Sequence, residues 1–243
     1  MGASKKPQMK TFATDWADQM FRNAANVNNG KGAAWILALC AIAVTGARPA
    51  ALEKGIQYSI EERDDGTYLV AKVLGVKLKK DSGQPWYCIM WKLGEMTTHR
   101  PRELLAILSA LHQAPDSKLT IQYDAEAIST RLRELSRSIW PRKKYHISAY
   151  SYREGFAKAA KMAGVGKTEL ARAMGHISEA SQRQYAGRRK PARSGKIPRR
   201  PFDAAVAAKP VKKERPQMER FKVMTLRKKN AASKPAAMNL SYK

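Results

Sequence analysis

The twelve residues Ala33 to Val44 carry no charged or hydrogen-bonding polar side chain except one indole, and this run limits the fold more than any other feature. A membrane span needs ~20 apolar residues, so a run of this length reads as a helix buried inside a globular protein. Thr45 and Gly46 end it, glycine being the residue that most readily takes the left-handed turn at a helix C-terminus. Surrounding such a helix takes a real core, and 243 residues, 44% of them hydrophobic, can supply one.

Around this helix the periodicities divide the chain into a helix-rich beginning, a strand-rich middle and a helix-rich end. Phe12 to Asn26 reads as a first helix. Ile56 to Arg63, Tyr68 to Leu74 and Trp86 to Trp91 alternate or carry β-branched and aromatic residues, with turns at Asp64-Asp65-Gly66 and Asp81-Ser82-Gly83. They predict a small antiparallel sheet. Beyond it, Arg102 to His112, Asp124 to Ser138, Ser148 to Ala163, Thr168 to Met174 and Ser178 to Ala186 read as helices. The expected class is α+β, mainly α-helical, without internal repeats.

The charge points to a partner. Forty-six Lys+Arg stand against 20 Asp+Glu, a net of +26, which would repel itself unless a polyanion neutralised it part of the time. Residues 186–243 hold 18 Lys+Arg and 3 Asp+Glu, a net of +15, and half of the 12 prolines, leaving +11 for the rest. Residues 1–10 read as a short basic segment, 11–187 as one folded domain, and 188–243 as a basic, largely flexible extension with a short helix near 219–229. Arg188, Arg189 and Lys190 open that extension and suit sequence-independent phosphate contact on double-stranded DNA. Cys40 and Cys88 sit among apolar neighbours and read as reduced thiols of a cytoplasmic, nucleoid-associated protein. Neither a disulfide framework nor a Cys/His metal cluster can be assembled, and no cofactor is expected. A secretory leader is not seen, and a myristoylation reading of Gly2 fails at Lys6.

Several residues fall in suggestive places. In Ser148 to Gly164, Tyr152, Phe156, Ala159, Ala160 and Ala163 form an apolar stripe at helical spacing, while Tyr150 and Arg153, three apart, share an adjoining face. A short helix with Thr168 as its expected N-cap stops at Gly175. His176 follows at once, and Tyr185 comes nine residues later. Thr45-Gly46-Ala47-Arg48-Pro49 places an arginine just after the buried helix. Each has an ordinary reading in isolation: a helix-end arginine, a solvent-facing helix edge, a capping imidazole, a half-buried aromatic. Gly164-Val165-Gly166-Lys167-Thr168 mimics a phosphate-binding loop, but Lys161 stands where that motif needs its first glycine.

As an ordered set these segments resemble the catalytic domain of the tyrosine recombinases, the phage integrase family. The matching pieces are Thr45-Gly46-Ala47-Arg48, the hairpin Gly75-Val76-Lys77-Leu78-Lys79-Lys80, Tyr150-Ser151-Tyr152-Arg153, Met174-Gly175-His176 and Gln184-Tyr185, spread from about Ala33 to Gly187. The resemblance implies a site-specific enzyme that breaks and rejoins duplex DNA through a 3′-phosphotyrosine, without metal or other cofactor. It further implies a homotetramer on DNA, with additional recombinase or DNA-bending proteins as possible companions, and neighbouring protomers that exchange a C-terminal segment.

By that resemblance Tyr185 is the nucleophile, and Arg48, Arg153 and His176 hold the phosphate. Two guanidiniums and an imidazole would stabilise the charge that grows in a pentacoordinate transition state. Lys77 is the implied acid for the leaving 5′ oxygen, with Lys79 and Lys80 as alternates, because hairpin register is not fixed by one sequence. Tyr150 stands where the family mostly has His or Lys, and Glu154 where a second His is common. A phenol is a poor proton acceptor, so His146 is an alternative base. The short stretch before Arg48 also leaves little room for the separate helical domain that the family usually places there. Two other readings share the features: a catalytically degenerate DNA-binding protein of this fold, and a type IB topoisomerase-like relaxing enzyme.

Overall fold

The apolar run becomes α2, Ala33–Thr45, whose apolar residues point in all directions; beyond its exposed first two residues it is buried or part-buried along its length. The computed structural model describes residues 11–27, 32–78, 83–94, 101–185 and 200–213. Besides α2 these form α1 (Trp16–Val27), α3 (Pro49–Glu53), α4 (Arg102–His112), α5 (Ala125–Ile139), α6 (Ala149–Met162) and α7 (Lys167–Ala173). The strands are β1 (Ile56–Arg63), β2 (Gly66–Leu74), β3 (Trp86–Lys92), β4 (Lys118–Ile121) and β5 (Ala204–Ala207). Helix α2 packs against α1, α3, α4, α5, α6 and β4, with Leu39, Cys40 and Ile42 wholly buried. No described helix is long and apolar enough to cross a membrane.

The sheet is antiparallel throughout, in the order β4-β1-β2-β3-β5. Register follows the alternation of side chains: Ile56 faces Val73 and Tyr58 faces Ala71, so the apolar positions of β1 and β2 share the covered face. The three central strands lie where the sequence places them. The two edge strands were illegible, for different reasons. Strand β4 has four residues, and β5 is Ala-Ala-Val-Ala, nearly all alanine and low in β-propensity.

Strand β5 corrects the expectation that the chain is a largely flexible extension from residue 188. Residues 200–213 are folded onto the body. Phe202 is fully buried and stacks on Phe156 with ring centroids 5.6 Å apart. The Trp91 indole donates to the Pro201 carbonyl at 2.7 Å, and the Lys92 amide to Asp203 Oδ2 at 2.8 Å. The Lys212 amide donates to the Ile177 carbonyl at 2.7 Å, joining the segment to the turn after α7. Arg188, Arg189, Lys190, Lys79 and Lys80 lie outside the described residues, as do residues 1–10 and 214–243.

Other boundaries shift for local reasons. The first helix begins at Trp16, since residues 11–15 form turns. The segment expected to be helical from Ser178 to Ala186 is a 3₁₀ helix, Glu179–Gln184, with the Ser178 hydroxyl accepting from the Ala180 amide. Thr168 is not the N-cap of α7, because Gly166 holds that position and the Thr168 hydroxyl donates to the Glu179 carboxylate.

Candidate active site

Three helix ends and one helix interior build the site. At the end of α2, the Thr45 hydroxyl donates back to the Ala41 carbonyl at 2.5 Å and accepts from the Ala47 amide at 3.1 Å. Gly46 takes φ +59, where a Cβ would lie 2.9 Å from Phe156. The turn needs a residue without a side chain on both counts. It aims the Gly46 carbonyl inward and sets Arg48 as the N-cap of α3, with Pro49 in the first helical position.

Helix α6 supplies Arg153, whose side chain is only 1% exposed. Its guanidinium donates from Nη1 to the Gly46 carbonyl at 2.7 Å and from Nη2 to the Met174 carbonyl at 2.7 Å. Nη2 also meets His176 Nε2 at 3.0 Å, and Nε donates to the Tyr185 hydroxyl at 2.9 Å. A buried guanidinium with five N–H groups needs this many partners. It thereby joins the ends of α2 and α7 to the turn that carries Tyr185.

His176 is delivered by the closure of α7. The Gly175 amide donates to the Arg172 carbonyl at 3.0 Å and the His176 amide to the Ala171 carbonyl at 2.8 Å, the paired bonds of a Schellman motif. Gly175 has φ +64, and a Cβ on it would run into the Tyr87 ring. The imidazole stacks on the Tyr185 ring, centroids 5.9 Å apart and planes 22° apart. The turn bearing Tyr185 is held to α6 by Lys161, whose ammonium donates to the Gln182 carbonyl at 2.8 Å and the Tyr185 carbonyl at 3.2 Å.

Electrostatics follow from this burial. Burial, then the neighbouring guanidiniums of Arg153 and Arg48, push the His176 pKa down to about 2, so the ring is neutral. Burial and Arg153 lower Arg48 from its ordinary value, while the Tyr185, Tyr87 and Tyr150 hydroxyls pull the other way. Burial raises the Tyr87 hydroxyl, and Arg153 and Arg48 oppose it.

The cluster is not matched by a protein-family model, and no curated protein matches the chain. Among solved structures, the crystal structure of XerA recombinase is similar, with a TM-score of 0.48 and 15% identity. The alignment covers 78% of this chain and 61% of that one, so this chain spans about three fifths of the length of that structure.

Of the residues singled out from the sequence, Arg153, His176 and Tyr185 are in direct contact, and Arg48 lies beside them. Tyr150 is 50% exposed, and no hydrogen bond joins it to the buried network among the described residues. Lys77 is exposed on the rim of a small recess lined by Arg48, Gln84, Tyr87 and Gly175. His146 lies in the turn before α6; burial and Arg137 lower its pKa, and no hydrogen bond joins it to the cluster among the described residues.

Two glutamines were not legible in the sequence. Gln84 is wholly buried at the base of the hairpin that carries Lys77. Its amide nitrogen donates to the carbonyls of His176 at 3.3 Å and Lys209 at 2.8 Å, and its oxygen accepts from the Lys209 amide at 2.7 Å. One side chain thus ties the hairpin to the histidine turn and to the folded C-terminal segment. Gln182, also buried, meets His176 Nδ1 at 3.0 Å. Gln84 follows the Asp81-Ser82-Gly83 turn and Gln182 lies in a segment read as helical, but nothing local tells that either side chain reaches His176.

Proposed function

We propose that the chain is a site-specific DNA recombinase that cleaves and rejoins duplex DNA through a 3′-phosphotyrosine on Tyr185. The observation that carries the reading is the bond from Arg153 Nε to the Tyr185 hydroxyl. It places a phenol oxygen against a buried guanidinium, with Arg48 and His176 alongside. Such a cluster suits a phosphodiester, whose non-bridging oxygens take bidentate guanidinium donors.

In this reading, the Tyr185 oxygen forms a bond to phosphorus and gives its proton to water, while the bond from phosphorus to the 5′ oxygen breaks. Lys77, on the rim beside Arg48, gives the 5′ oxygen a proton. The guanidiniums of Arg48 and Arg153 stabilise the charge that develops on the phosphate. Reversal with another 5′ hydroxyl rejoins the strand. The phosphotyrosine keeps the bond energy, so religation needs no external energy source. Exchange between two duplexes calls for four such sites, hence a homotetramer on DNA.

A second reading is a DNA-binding protein of the same fold that does not cleave. The near-complete engagement of Arg153 by protein atoms favours it, since that guanidinium must give up a partner before it can hold a phosphate. One experiment separates the two. Incubation with nicked suicide duplexes is expected to give a covalent adduct, seen in a denaturing gel, that disappears in Tyr185→Phe. DNA binding without an adduct on any duplex supports the second reading; relaxation of supercoiled plasmid without a site requirement points to topoisomerase-like action.

A further inference from the structure

Helix α6 holds Tyr185 at both of its ends. Arg153 Nε donates to the hydroxyl at 2.9 Å, and eight residues further along the same helix the Lys161 ammonium donates to the Tyr185 carbonyl at 3.2 Å. At 1.5 Å per residue the two anchors stand about 12 Å apart along the helix axis. Lys161 also donates to the Gln182 carbonyl at 2.8 Å, and that oxygen accepts the Tyr185 amide at 3.2 Å as well, one bond for each lone pair. These carbonyls lie where the 3₁₀ helix Glu179–Gln184 runs out and the chain turns extended at Tyr185. The last carbonyls of a helix have no partner within it and carry partial negative charge, so a cation offered from another element satisfies them. Holding a lysine stem still costs rotamer freedom, and two acceptors in one place offset that cost.

We propose that Lys161 is a positioning residue for Tyr185: its ammonium fixes the backbone from which the phenol extends, so that the hydroxyl meets Arg153 in the orientation needed for attack. This role rests on the reading of Tyr185 as the nucleophile. With its carbonyl and hydroxyl both tied to α6 and its ring stacked on His176, the phenol is held in one direction. Removal of the ammonium leaves the end of the 3₁₀ helix to water and lets the turn drift. Lys161 works through the backbone of the turn, so it governs the rate of attack and leaves the affinity for DNA alone.

Two measurements on the full chain test this. The first follows the Tyr185 ring by NMR on protein with ring-labelled tyrosine, Tyr185→Phe identifying its signals. The imidazole stacked on that ring shifts them in the wild type. Lys161→Met, which keeps the stem and removes the ammonium, is expected to return them toward the values of a free tyrosine, and Lys161→Arg, which keeps a cationic donor, to retain the shift. The second measures adduct formation on a saturating suicide duplex beside the affinity for that duplex. Lys161→Met is expected to slow the adduct by roughly 10²-fold, the cost of a reacting group misplaced by about an ångström, with affinity within about twofold of wild type. Lys161→Arg restores most of the rate. A folded Lys161→Met with wild-type ring signals or an unslowed adduct overturns the proposal. So does a loss of affinity that matches the loss of rate, which makes Lys161 a phosphate contact. If Lys161→Met does not fold, Lys161→Gln, whose amide is too short to reach both carbonyls, takes its place in both measurements. A wild type that forms no adduct refutes the cleavage reading, and the ring signals then decide by themselves whether Lys161 places Tyr185.

Discussion

Tyr87 packs its ring so closely on Gly175 that a Cβ added there would lie 2.6 Å from Cε1. The glycine also has φ +64. These two constraints fix the turn that aims His176, and they predict the effect of Gly175→Ala. The left-handed backbone costs an alanine roughly 1–2 kcal/mol, and the collision with a buried ring roughly 1–3 more. A loss of about 2–5 kcal/mol on denaturant unfolding is expected. A variant as stable as the wild type would show that the ring and the turn are not in contact.

The Arg153 network predicts that variants of the proposed catalytic residues also change stability. Tyr185→Phe removes the partner of Arg153 Nε and is expected to cost roughly 1–3 kcal/mol. Arg153→Met leaves the carbonyls of Gly46 and Met174 unpartnered and should cost at least about 3 kcal/mol. Thermal and chemical melts of both variants check the order. If Arg153→Met is as stable as the wild type, the guanidinium is not holding the helix ends together.

His176 should make stability depend on pH. The folded ring takes a proton only near pH 2, and the unfolded ring near its ordinary value of ~6.5. Below pH 6.5 the unfolded chain binds one more proton, so stability falls with falling pH, by up to ~1.4 kcal/mol per unit, and levels off only near pH 2. Above pH 6.5 this contribution is fully present. Glu103 has the opposite sign: burial raises its carboxyl, the folded chain holds that proton longer, and its contribution fades as pH rises through the raised value. Subtracting the profile of His176→Gln from that of the wild type isolates the histidine, and parallel profiles would contradict its burial as a neutral base.

What the sequence discloses is decided by how local the signal is. The α2 run, the alternating strands and the Gly46 and Gly175 stops are short-range patterns, and they bring Arg48 and His176 to helix ends whose glycines set their direction. Arg153 was legible as a residue on a helix face beside an apolar stripe, but its burial was not, because that depends on two carbonyls from segments 107 and 21 residues away. Gln84 reaches 92 residues to His176 and 125 to Lys209. The turn before Gln84 marks a hairpin, but nothing local announces the distant carbonyls that its amide bridges. Strand β5 is hidden in the same way: it pairs only because β3 offers an edge, and Phe202 supplies its anchor.

The folded segment 200–213 divides the basic C-terminal region into two parts with separable roles. Removing residues 214–243 leaves every contact among the described residues in place, and the expected change in stability is about 0.5 kcal/mol or less. Removing residues 200–243 takes away β5, the Trp91 and Lys92 partners and Phe202, and loss of one such buried aromatic alone costs roughly 3–5 kcal/mol. The shorter deletion carries a surplus of Lys and Arg, so it should flatten the salt dependence of binding to duplex DNA while the fold remains. Binding titrations from low to high salt on both truncations, with melting curves, check the division. A salt slope unchanged by removal of 214–243 would assign the phosphate contacts to residues 1–213, which hold Arg188, Arg189 and Lys190 as well as Arg48 and Lys77.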